Sequence, residues 1–163
     1  MNLRKSTFSA ILLAVLTLIT DVSLAQSKEA QKRIDNFNLT KKKVAIEGYD
    51  PVAYFTENKA IKGNKAHAVY YEGVLYLFAN DKNKTLFKKS PAKYEPQYGG
   101  WCAYAIAEKS QKMEIDPETF LIQEGKLYLF YNRFFNNTLP DWQKAPKVNK
   151  EKGDKNWDKL YQK

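Results

Sequence analysis

Two ten-residue stretches of this chain read almost alike. YEGVLYLFAN begins at Tyr71 and QEGKLYLFYN begins at Gln123, 52 positions later. Each places Glu-Gly before a run of aromatic and aliphatic residues, the pattern of a strand leaving a tight turn. Residues 65–71 and 74–78 are therefore expected to pair as a β-hairpin around Glu72-Gly73. Residues 119–123 and 126–131 are expected to form a second hairpin around Glu124-Gly125. A solenoid needs three or more repeats, so one pair predicts a duplicated hairpin within one sheet. An Asp-Pro precedes each copy, at Asp50-Pro51 and at Asp116-Pro117, although the spacing differs.

The rest of the chain adds short helices around these hairpins. Asn80-Asp81 can cap a helix that carries Leu86 and Phe87 and stops before Pro91. Residues 91–98 read as extended, and residues 101–108 as a second short helix. The tail from Asn132 reads as helical, broken at Pro140 and Pro146. Residues 44–46 read as a short strand that ends at Gly48. The 163 residues suit one domain. Eleven Tyr and nine Phe favour strands over a purely helical fold. The expected class is α+β: a single domain with an antiparallel sheet built from two similar β-hairpins and short flanking helices.

Residues 1–25 read as a secretory signal. Arg4 and Lys5 precede the apolar run FSAILLAVLTLIT, and Ser23-Leu24-Ala25 places small residues where a signal peptidase cuts. The expected organisation is a signal peptide at 1–25, an N-terminal arm at 26–41 and the main domain at 42–163. A periplasmic or secreted location follows, with no stable membrane anchor after cleavage. In an oxidising compartment, a chain with one cysteine, Cys102, makes no internal disulfide. The net charge of +9 reads as a solvated basic surface. The aromatics sit in strand-like runs and do not interleave with Lys and Arg as in a strand-binding groove, so nucleic acid is not an expected partner.

Five segments then occur in order: GYDPVAYF at 48–55, YEGVLYLFAN at 71–80, FKKSPAKYEPQYGGWCAYA at 87–105, DPETFLIQEGKLYLFYN at 116–132, and a late Asn156-Trp157. Together they resemble the exported bacterial YHS domain-containing proteins, in the branch with a single Cys, where some relatives carry selenocysteine. The resemblance covers about residues 42–160 and implies a small α+β domain. It also implies a redox-active character for the position of Cys102. Relatives of the YHS domain that accompany metal transporters imply metal binding, but this chain departs from their pattern. Gly48-Tyr49-Asp50-Pro51 stands where they have an early cysteine, and Ala79 follows Phe78 where they have another.

The residues around Cys102 leave three readings open. Cys102 follows Gly99-Gly100 and opens an expected helix, where amide groups and the macrodipole stabilise a thiolate. That arrangement suits a thiol-dependent redox protein. The two glycines permit close approach of another backbone or a ligand, which suits a binding or sensor module. Tyr49, Asp50, Tyr98, Gly99, Gly100 and Trp101 are the expected ligand-binding residues, with Tyr54 and Tyr94 nearby. In the third reading Cys102 is inert packing in an interaction protein, since free cysteines are commonly buried. One Cys and one His exclude a four-ligand zinc site within one chain. Copper or another transition metal, held by Cys102, His67 and Met113, remains the cofactor class left open. No nucleophile motif or phosphate loop is present, so no enzyme class is assigned. The expected partners are a small ligand, a metal ion, or another periplasmic protein.

Overall fold

The computed structural model describes residue 26 and residues 28–162. The expected signal at 1–25 lies outside the described residues. The arm expected at 26–41 contains a helix, α1, over residues 28–36. Next come a 3-10 turn at Ile46–Gly48, helix α2 (Ala53–Thr56), strands β1 (Asn64–Tyr71) and β2 (Val74–Phe78), and helices α3 (Asp81–Lys89) and α4 (Pro91–Tyr94). A second 3-10 turn at Gln97–Gly100 leads into α5 (Ala103–Lys109), β3 (Asp116–Gln123) and β4 (Lys126–Phe130). A small hairpin of β5 (Asn132–Arg133) and β6 (Asn136–Asn137) precedes α6 (Leu139–Lys144) and α7 (Pro146–Tyr161). The class is α+β, and both expected hairpins are antiparallel pairs.

The likeness of the two hairpins extends to their hydrogen bonding. In the first, Asn64 pairs with Phe78, a bulge follows, and Ala68 pairs with Leu77 through to Tyr71 with Val74. In the second, Asp116 pairs with Phe130, the same bulge follows, and Phe120 pairs with Leu129 through to Gln123 with Lys126. Every partner is shifted by 52. The turns are two-residue loops with positive φ at both positions, +44° and +80° at Glu72-Gly73 and +51° and +70° at Glu124-Gly125. That backbone matches the right-handed twist of the flanking strands. The hairpins form two separate two-stranded sheets, and each takes a parallel bridge on its inner strand, Val44 to Leu75 and Pro96 to Leu127.

The repeat is larger than the hairpin. Ile46, Glu47 and Gly48 have φ of +49°, +50° and +85°, and Tyr98, Gly99 and Gly100 have +55°, +59° and +83°. These left-handed triplets are also 52 apart, and each leads into a helix, α2 or α5. Beyond the hairpins, Ser90 (φ −153°, ψ 66°) separates α3 from α4, and Ala145 (φ −148°, ψ 62°) separates α6 from α7. Each stands before a proline. Phe87 packs on Tyr76 at 4.7 Å and on Phe78 at 5.1 Å between ring centroids. Trp142 takes the same place against Tyr128 at 5.2 Å and Phe130 at 5.6 Å. Here the offset has grown to 55, because the β5–β6 hairpin occupies the second half alone. One unit of left-handed turn, helix, hairpin and a helix pair whose second member starts on proline has been used twice.

Four expectations are corrected. The two hairpins do not share one antiparallel sheet but form two two-stranded sheets. Residues 44–46 are not a strand: Val44 and Ala45 make only single bridges, and Ile46 opens a 3-10 turn. Residues 91–98 are not uniformly extended: α4 starts on Pro91 and only Glu95-Pro96 are extended before the second turn. The tail is not helical from Asn132. Asn132–Asn137 is a hairpin, and Pro140 and Pro146 sit in the first turns of α6 and α7. Proline at these positions forfeits no intrahelical bond and presets φ, so it starts a helix there.

Candidate functional site

Cys102 is fully buried and is the N-cap residue of α5. Its amide donates to the carbonyl of Met113 at 3.0 Å. Its Sγ accepts the Tyr131 amide at 3.3 Å and lies 3.3 Å from Thr138 Oγ1. The Thr138 hydroxyl donates its one proton to the Tyr131 carbonyl at 3.1 Å, so the thiol proton is the donor between Sγ and Oγ1. No histidine, carboxylate or cationic side chain hydrogen-bonds Sγ among the described residues. The two groups that hold the sulfur, Tyr131 and Thr138, flank the β5–β6 hairpin.

The repeat identifies the counterpart of Cys102. It is Asp50, not a residue of the second Asp-Pro pair. Asp50 is fully buried. Its Oδ1 accepts the amides of Val52 at 2.8 Å and Ala53 at 3.3 Å. Its Oδ2 accepts the Ala79 amide at 2.8 Å and Asn83 Nδ2 at 2.7 Å. Ala79 and Tyr131 are 52 apart, so the same backbone donor meets a carboxylate in one half and a thiol in the other. Four donors fill the lone pairs of the Asp50 carboxylate, which commits this expected ligand residue to capping its own chain.

The rest of the expected ligand-binding set is placed mostly against the arm. The Asn38 amide donates to the Gly99 carbonyl at 2.9 Å, and Asn38 Nδ2 donates to the Gly100 carbonyl at 3.3 Å. Trp101 Nε1 donates to the Asn36 carbonyl at 2.7 Å. A Cβ on Gly99 would lie 2.6 Å from the Phe37 ring. The glycine pair thus does admit a second backbone closely, and that backbone is the chain's own. Tyr98 is buried, and its hydroxyl donates to Asp154 at 3.0 Å. Burial, then the Asp154 charge, raises its phenol well above the ordinary range. Tyr49 lies apart and half-exposed, donating to Glu118 at 3.2 Å with Lys62 Nζ 3.9 Å from its ring.

The three expected metal ligands do not form a cluster. His67 lies on β1, where Nδ1 is 2.9 Å from Asp81 Oδ1. Met113 meets Cys102 through its carbonyl and packs its side chain against the core. Among the described residues no group of three His, Cys, Asp or Glu could hold a metal ion. Cys102 lines neither of two clefts among the described residues. One of about 460 Å³ is lined by Asn38, Leu39, Glu47 and Glu114. Another of about 310 Å³ is lined by Phe37, Glu95, Tyr98, Gly99, Asp154 and Trp157.

Sequence reasoning missed two features. Arg33 of α1 is buried and pairs with Glu95 and with Glu72 at 3.3 Å, while the Tyr76 hydroxyl lies 3.3 Å from its Nη2. Burial pulls the guanidinium pKa down, and the Glu95 hydrogen bond with the surrounding negative charge more than reverses it. A charged residue in a polar arm gave no cue. The other feature is the β5–β6 tip, where Phe134 and Phe135 are 89% and 112% exposed at φ of +53° and +61°. The asparagines at 132, 136 and 137 were the available turn signal.

Compared with protein-family models, with curated proteins and with solved structures, the chain matches none. Fold and site together define an α+β domain made of two copies of one capped helix-and-hairpin unit. The residue that leads into the helix is a carboxylate bonded to the helix's first amides in the first copy, and a thiol without such a bond in the second.

Proposed function

We propose that this chain is an exported, YHS-like interaction module that works by docking on another exported protein. The observation that carries the reading is the Phe134–Phe135 tip. A two-residue turn with positive φ at both positions favours Asn-Gly or Gly-Gly. A bulky L-residue in the left-handed region costs roughly 1–2 kcal/mol. Here two phenylalanines accept that strain and bury nothing. The hairpin is also the part of the second half that the first half lacks. Neither strain nor exposure serves the fold, so the tip serves a contact outside it. Arg133, the one basic residue of the hairpin, lies 3.8 Å from Glu47. That pairing favours an apolar protein cleft over an anionic lipid surface. A photo-crosslinking residue at position 134, compared with one at the exposed Lys82, tests the reading in cells that export the chain. A discrete protein adduct at 134 alone supports it. Lipid adducts, or equal labelling at both positions, overturn it.

One observation supports a second reading, a thiol-dependent role for Cys102. Tyr131 and Thr138 hold both Sγ and the base of the hairpin. Lifting the hairpin would release the sulfur, so a contact at the tip would be felt at the thiol. The readout is the rate at which Cys102 reacts with a thiol reagent when the tip is engaged.

A further inference from the structure

The two halves differ in what covers the end of each hairpin. In the first half α1 lies across it. A Cβ on Gly73 would meet the Ala30 carbonyl and Ile34 Cδ1, each at 3.0 Å. Arg33, on the same helix, ion-pairs with Glu72 of that turn at 3.3 Å and stands over the Tyr71 ring at 5.3 Å. In the second half a Cβ on Gly125 would meet nothing within 4 Å. Glu124, the counterpart of Glu72, is exposed and has no ion-pair partner among the described residues. Beside this bare turn lies an open, mainly apolar groove of about 360 Å³, lined by Leu121, Ile122, Glu124, Gln143, Pro146 and Lys147. Glu124 and Lys147 are the counterparts of Glu72 and Ala92.

We infer that this groove is a docking seat for a short amphipathic helix of a partner protein, one that presents an arginine beside small and aliphatic residues. The occupied seat supplies the chemistry. Ala30 and Ile34 fit over a glycine turn because glycine leaves room there, and a guanidinium satisfies the adjacent glutamate. The vacant seat keeps the glycine and the glutamate, and Leu121 and Ile122 give its groove an aliphatic lining. Charge complementarity selects an arginine at one point: Glu124 has no ion-pair partner among the described residues and stands at the groove mouth, as Glu72 would without Arg33. Lys147 in the same lining, where the first half has Ala92, selects against further basic residues on the partner helix. Deeper in the second half α7 covers Tyr128, with Lys150 paired to Asp154 at 3.0 Å, so the partner helix spans the turn and strand face only. The inference rests on the interaction reading but uses a different surface from the Phe134–Phe135 tip, so the two can fail separately.

The probe is a synthetic peptide with the sequence of residues 26–40, stapled between positions 28 and 32 so that it is helical before binding. It is titrated into the isotope-labelled chain, residues 26–163, and followed by amide chemical shifts. The expected result is saturable shifts at residues 121–126 and 143–147. Replacing the peptide's arginine by alanine should weaken binding at least fivefold, and so should Glu124→Lys in the protein. Ile122→Asp should remove binding, and Glu124→Lys, on an exposed turn, serves if Ile122→Asp does not fold. No shifts up to about 1 mM peptide, or shifts confined to Glu72, Gly73 and Tyr76, overturn the inference. An affinity unchanged by both the arginine and the Glu124 substitutions overturns it too.

Discussion

Replacing Phe134 by asparagine and Phe135 by glycine gives the β5–β6 turn the residues its backbone favours. The native pair holds φ of +53° and +61°. Two bulky residues there cost roughly 2–4 kcal/mol together. Asparagine recovers part of the first share and glycine all of the second. Glycine returns about 0.5–1 kcal/mol through the freedom it adds to the unfolded chain. Both phenyl rings are exposed, so removing them forfeits almost no burial. The net expectation is a gain of about 1–2 kcal/mol. For a chain of this size that raises Tm by roughly 2–6 °C. Thermal melts followed by circular dichroism and by calorimetry measure it, with agreement between the two checking for a two-state transition. A fall in Tm would refute the reasoning, because it would mean that the phenylalanines stabilise the fold and need no outside contact to explain them. A crosslinking residue at Asn136, on the same hairpin, should capture the partner in the parent chain and lose it in this variant, which separates a stabilised fold from a retained function.

Thr138→Ala removes one partner of Sγ and loosens the hairpin base, and the lost hydrogen bonds amount to about 1–3 kcal/mol. Native-state reaction of Cys102 with a thiol reagent should therefore quicken roughly 5- to 150-fold, and an unchanged rate would detach the thiol from the hairpin. Gly99→Ala places a Cβ 2.6 Å from Phe37 at φ of +59°. It should destabilise the chain by more than about 1 kcal/mol and open residues 28–40 to limited proteolysis, while equal protection would show that the arm does not depend on this approach. Burial raises the phenols of Tyr54, Tyr76 and Tyr98, and it pushes Tyr128 up to about 12. A phenol whose pKa is higher in the folded state than its unfolded value near 10 stabilises the fold fully below that pH and loses the contribution as pH climbs toward the folded value. Stability should fall between pH 10 and about 12, and tyrosinate absorbance should rise together with unfolding. Free titration of all the tyrosines before unfolding would contradict the burial.

What could be read ahead of the structure was what local chemistry alone decides. Glu72-Gly73 and Glu124-Gly125 announced their hairpins because a two-residue turn with positive φ constrains its own residues. Asn80 announced α3, and its side chain does accept the Asn83 amide at 2.9 Å. The full extent of the repeat was hidden, because its most telling positions agree in backbone and not in side chain. Ile46, Glu47 and Gly48 share a left-handed shape with Tyr98, Gly99 and Gly100, yet only one glycine aligns. Asp50 and Cys102 have no chemical likeness, and the conspicuous second Asp-Pro pointed instead to Asp116, which is the counterpart of Asn64. The expected ligand residues from 98 to 101 lie where a second backbone comes close. What approaches is the arm, through Phe37 and Asn38, and that contact depends on a pairing 62 residues apart between Asn38 and Gly100, beyond the reach of local pattern.

The equivalence of Asp50 and Cys102 permits a test of what the thiol is for. As a cap, the thiol is the poorer group. Asp50 receives four donors, whereas α5 has no side-chain cap bond and its first amides go without one. An aspartate at position 102 would face the Tyr131 amide, the Thr138 hydroxyl, and the amides of Tyr104 and Ala105, which correspond in the repeat to Val52 and Ala53. Four donors would again surround the carboxylate, and a helix cap of this kind contributes about 0.5–2 kcal/mol. Against this stands the cost of burying a charge, which four hydrogen bonds largely offset in the first half. Cys102→Asp should therefore fold, with a Tm within a few degrees of the parent. Cys102→Ala, which leaves the Tyr131 amide without an acceptor, should be less stable by about 1–3 kcal/mol. If the aspartate variant is as stable as expected and still docks its partner, the thiol is one adequate cap among others. If it is stable but no longer responds to partner or oxidant, the sulfur itself carries the function, since fold and cap have been preserved. A variant that fails to fold would break the equivalence, showing that the two halves share a backbone but not the chemistry of its caps.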